Sequence, residues 1–68
     1  MVTEKIAIRK MSTGTTVNVT WKVEDNTVHW QVRVLGPTAR MISAAIRTCR
    51  EQCGMLLDGI REAEEAAA

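Results

Sequence analysis

Two thiols four residues apart, Cys49 and Cys53, are the most chemically capable pair in this sequence. On a helix that spacing puts both on one face, the arrangement a metal site or a redox pair would use. A zinc site needs four ligands, however, and the only further soft ligand is His29, which strand alternation sends to the far face of a sheet. The helical neighbours of the cysteines are apolar, so the expectation is a pair of buried, inert thiols. His29 sits near Lys22 and Gln31, with no carboxylate or nucleophile expected beside it. Ser12 and Ser43 have no histidine that the pattern would bring to them, and no glycine-rich phosphate loop is present. No catalytic residues, no cofactor and no metal ligands are therefore expected, and the chain reads as noncatalytic.

Recognition by charge is the second chemistry on offer. Lys5, Arg9, Lys22, His29, Gln31 and Arg33, together with Thr16, Asn18 and Thr20, fall on alternate positions of three extended segments and gather on one outward face. Four of these are cations, the nearest acid is Glu24 at a hairpin end, and the groups between them are of the kind that contact phosphates and base edges. Sheets of this sort can dock in the major groove. The face has no aromatic side chains on which single-stranded bases would stack. A net charge of +1 excludes a protein whose whole body attracts polyanions, so any such attraction must be local. Two readings of the face follow: the solvated side of a one-sided sheet, or a candidate DNA- or RNA-binding surface.

The elements that must position these residues are legible from periodicity. Val17, Val19, Trp21 and Val23 alternate with polar residues, and Val28, Trp30, Val32 and Val34 repeat the pattern. A tight turn at Asp25-Asn26 suits residues that tolerate positive φ. Paired positions would then sum to 51, setting Trp21 opposite Trp30 and Val23 opposite Val28. Val2, Ile6 and Ile8 mark an earlier edge strand, joined by a loop around Met11–Gly14, and Glu4 falls on its apolar side. A bulge or a partner for the carboxylate would resolve that conflict. The expected strands cover about residues 2–10, 15–24 and 27–35.

Gly36-Pro37-Thr38 ends the third strand and opens a helix over about residues 38–65, with Pro37 suited to its first turn. Ile42, Ile46, Cys49, Cys53, Leu56, Ile60, Ala63 and Ala67 follow steps of four and three, a heptad seam, which Met41, Ala45, Met55 and Leu57 broaden. Such a helix is about 45 Å long against about 30 Å for the strands, so it overhangs its sheet. Gly54 and Gly59 each mark a kink, a close approach or a fraying point, and the alanine tail after Glu65 is expected to carry no packing.

The fold class that results is α+β: a three-stranded antiparallel meander followed by one long C-terminal helix on its apolar face, in a single small domain spanning 1–68. A domain of this size buries little surface and usually needs a disulfide, a metal or a second chain. The helix charges point to the last of these. Arg40, Arg47 and Arg50 against Glu51 make the first half +2, while Asp58, Glu62, Glu64 and Glu65 against Arg61 make the second half −3. That order opposes the helix dipole, and an antiparallel second copy meeting along the seam would offset it. The expectation is a homodimer with Ile42, Ile46, Cys49, Cys53, Leu56 and Ile60 as its seam.

By elimination, the function expected is a noncatalytic protein-binding module, a small inhibitor or adaptor with a protein partner. Compact inhibitors from phages and mobile elements, anti-CRISPR proteins among them, share its size class. The alternative is a small nucleic-acid-binding protein using the outward face. The N-terminus lacks the apolar run of a signal peptide and no segment reaches the roughly 20 apolar residues of a membrane span, so a cytoplasmic location is expected, and the Asn18-Val19-Thr20 sequon reads as incidental.

Overall fold

A computed structural model describes residues 1–36 and 38–67. Three strands, β1 (Val2–Met11), β2 (Gly14–Val23) and β3 (Asn26–Val34), form an antiparallel sheet in the order β1-β2-β3, followed by one helix, α1 (Ala39–Ala67). This is the α+β meander-plus-helix architecture that the alternation predicts. The expectation placed on Pro37 lies outside the described residues. Thr38 caps α1: its Oγ1 accepts a 3.2 Å bond from the Met41 amide, and its carbonyl accepts a 3.0 Å bond from the Ile42 amide. Neither Gly54 nor Gly59 interrupts α1, which runs on through Glu65 to Ala67.

The β1/β2 hairpin turns at Ser12-Thr13 and closes on the Met11–Gly14 pair. Gly14 has φ 138°, and a Cβ there would sit 2.7 Å from the Val34 carbonyl oxygen. Both the backbone conformation and the close strand approach therefore require glycine.

The β2/β3 register differs from the expected one. Val23 pairs with Asn26, Trp21 with Val28, Val19 with Trp30 and Val17 with Val32, so paired numbers sum to 49 rather than 51. The turn is Glu24-Asp25, with Glu24 at φ 56°, and the expected Trp21–Trp30 pair is not formed. A shift of two keeps every side chain on its expected face.

The core lies between α1 and the β2/β3 half of the sheet. Val17, Val19, Val23 and Val28 meet Ala45, Cys49, Cys53 and Leu57, with Trp21, Val32, Val34, Ile42, Ile46 and Ile60 packed around them. The small residues on α1 let it come close: the Cys49 and Cys53 thiols each lie 3.7 Å from a β2 carbonyl oxygen, those of Val17 and Val19. The buried stripe Ala45, Cys49, Cys53, Leu57 advances by four residues at a time, drifting by about 40° per step around a 3.6-residue helix. That drift brings Leu57 inward and leaves Leu56 39% exposed. The helix packs on β2 and β3 and not on β1.

Candidate functional sites on the two faces of the sheet

One candidate site is built on the helix-facing side of β1. Strand pairing places Val2, Glu4, Ile6, Ile8 and Lys10 on the same face as the buried Val19 and Val17, yet no helix covers them. Val2, Ile6 and Ile8 are 51%, 38% and 46% exposed. Between β1 and α1 runs an open groove of about 340 Å³, lined by Ile6, Ser43, Ile46, Arg47 and Arg50.

Glu4 resolves the conflict seen in its sequence position by acquiring partners, not by a bulge, since the β1/β2 ladder runs without interruption from Val2 to Met11. Its Oε1 accepts a 2.8 Å bond from Arg50 Nη2, and its Oε2 accepts 2.9 and 2.8 Å bonds from Arg50 Nε and Trp21 Nε1. The fork of the guanidinium meets the carboxylate in the bidentate geometry that makes such pairs directional. Hydrogen bonds from Arg50 and then from Trp21 hold the Glu4 carboxyl below its ordinary range, and Glu4 pushes Arg50 up in turn. Arg50, which also lines the groove, links the pair to it.

The helix seam is spent mostly within the chain. Cys49 and Cys53 are buried under α1, Ile42, Ile46 and Ile60 are half-buried against the same core, and Leu56 is the exposed member. This leaves Met55 and Leu56 on the outer side of α1, whereas Leu57, expected to broaden an exposed seam, is buried. Both thiols are free, and burial pushes each one up, away from the reactive thiolate. Among the described residues, no three His, Cys, Asp or Glu side chains gather in a way that would hold a metal ion.

The second candidate site is the outward face. All six residues expected there share it. The paired rows are Arg9–Thr16–Arg33, Ala7–Asn18–Gln31, Lys5–Thr20–His29 and Thr3–Lys22–Thr27. No carboxylate stands in any of these rows; Glu24 and Asp25 sit in the turn beyond them. His29 Nε2 lies 3.1 Å from Asn18 Oδ1, and Arg33 Nη2 donates a 3.2 Å bond to the Thr13 carbonyl, so Asn18 and Arg33 are held in place. Sequence reasoning missed the Glu4–Arg50–Trp21 cluster, because nothing in the spacing of the three residues links them. The misplaced carboxylate on the apolar side of β1 was its one trace.

No known protein family matches the chain, and neither a curated protein nor a solved structure does. No helix among the described residues is long and apolar enough to cross a membrane.

Proposed function

We propose that this chain is a noncatalytic protein-binding module that works as a homodimer, an adaptor or inhibitor acting through surface recognition in the cytoplasm. The observation that carries this reading is the uncovered apolar side of β1: Val2, Ile6 and Ile8 are exposed, Ile6 lines a groove against α1, and β1 is an edge strand. An edge strand with an apolar side offers backbone donors and acceptors as well as hydrophobic area, the two components of strand addition. A second copy of the chain supplies a matching edge and a matching apolar strip, and a two-fold axis makes the contact self-complementary. The small size of the domain favours it too, because an extra buried layer adds the hydrophobic area that 68 residues alone struggle to provide. The buried, unpaired thiols suit a reducing compartment.

Sedimentation equilibrium on wild type and on the double variant Ile6→Asp/Ile8→Asp tests the reading. The expected result is a wild-type dimer at micromolar concentration and a variant monomer with an unchanged circular dichroism spectrum. A monomeric wild type, or a dimer indifferent to both substitutions, would remove β1 from the interface.

A further inference from the structure

The outward face divides its chemistry by strand. The edge strands carry Lys5 and Arg9 on β1 and Arg33 on β3, while the central strand β2 presents Thr16, Asn18, Thr20 and Lys22 between them. Strand axes lie about 4.8 Å apart, so the two edges stand about 10 Å from one another. The major groove of B-form DNA is about 12 Å wide, with a phosphate backbone along each side and base edges along its floor. Lys5, Arg9 and Arg33 at the margins, with Thr16, Asn18 and Thr20 and the fourth cation Lys22 along the middle, suit a face laid over that groove.

We propose that this face docks along the major groove of duplex DNA, with Lys5 and Arg9 against one backbone, Arg33 against the other, and Asn18 and Lys22 over the base edges. No carboxylate stands in the paired rows, so the like charges nearest the phosphates are Glu24 and Asp25 in the turn beyond them. Cations at the margins hold the protein in register and carry no sequence information, whereas the central side chains can discriminate bases. The 3.1 Å contact between His29 and Asn18 Oδ1 adds direction. With the His29 proton on Nε2, the Asn18 oxygen is occupied and its amide donors point toward the groove, where they suit the O6 and N7 acceptors of guanine or the O4 of thymine. The Arg33 bond to the Thr13 carbonyl steadies its guanidinium and leaves further N–H donors for phosphate. This binding face is separate from the β1 groove, so a dimer would present two copies of it.

Fluorescence anisotropy with a labelled random-sequence duplex DNA, across a salt series starting at low ionic strength, tests the proposal. Three phosphate contacts predict a log–log slope of about −2.7 for each face engaged, since each contact contributes about −0.9. The folded double variant Arg9→Glu/Arg33→Glu should lose at least about tenfold in affinity at low salt and show a shallower slope. An RNA duplex of the same length should bind more weakly, because its major groove is too deep and narrow for a sheet to enter. Three results would overturn the assignment: no binding to DNA at low salt, equal or tighter binding to the RNA duplex, or wild-type affinity in the charge-reversed variant. None of these outcomes depends on the oligomeric state.

Discussion

Glu4 and Arg50, 46 residues apart, form a two-pronged ion pair at 2.8 and 2.9 Å that ties the edge strand β1 to a helix which otherwise leaves it uncovered. The guanidinium is half exposed and the carboxylate about one-quarter exposed, so solvent screens the pair and its worth lies in geometry more than in energy. Trp21 donates to the same carboxylate, so side chains from β1, β2 and α1 meet at one point beside the groove that Arg50 lines.

The pH dependence follows from the direction of the Glu4 shift. A carboxyl held below its ordinary value of 4.5 contributes stability that is fully present above that value and is lost as pH falls through the lowered one. Glu4→Gln keeps an acceptor for Trp21 but removes the charge. In urea unfolding, wild type should be the more stable of the two above pH 4.5, and the difference should close as the solution is acidified. A difference that stayed constant down to strongly acidic pH would mean that the Glu4 charge is not coupled to folding.

The identity of the inward leucine is tested by truncation. Leu57 is 6% exposed and Leu56 39%, so Leu57→Ala should destabilise by about 2 kcal/mol or more, and Leu56→Ala by well under half of that. Chemical denaturation of the two variants would show the order directly. A reversed order would restore the heptad seam as the packing face.

Two backbone substitutions should raise stability. A Cβ added at Gly59 meets nothing within 4 Å, so Gly59→Ala should gain about 0.5–1 kcal/mol through helix propensity. Glu24 occupies the left-handed region at φ 56°, and Glu24→Gly should relieve about 1 kcal/mol of strain. Thermal unfolding of each variant checks both gains. A fall in stability for Glu24→Gly would indicate that the Glu24 side chain makes a compensating contact.

The fold was legible because both of its periods are strongly written. Strict alternation through Val17–Val23 and Val28–Val34 marks two strands, and the change to steps of three and four after Thr38 marks the helix. Face assignments carried over intact, so Lys5, Arg9, Lys22, His29, Gln31 and Arg33 stand together as alternation places them. The register did not carry over. Any shift by two still sets apolar beside apolar, and the deciding turn uses Glu24, a residue type with no marked preference for positive φ. On α1 the buried stripe Ala45, Cys49, Cys53, Leu57 advances by a uniform four residues, longer than the 3.5 of a heptad or the 3.6 of a straight helix, so it winds around the helix and takes in Leu57 in place of Leu56. The uncovered state of β1 was invisible, because periodicity identifies an apolar side without saying which element covers it.

Hydrogen–deuterium exchange of the wild-type protein at two concentrations, read residue by residue, shows whether β1 joins two copies of the chain. Among the described residues no strand lies beside the outer edge of β1, so its edge-facing amides should exchange quickly in dilute solution. In a dimer joined through β1, amides between Glu4 and Lys10 become protected as concentration rises, while those of β3 do not change. Exchange in β1 that is independent of concentration, or new protection confined to α1 around Met55 and Leu56, would contradict it.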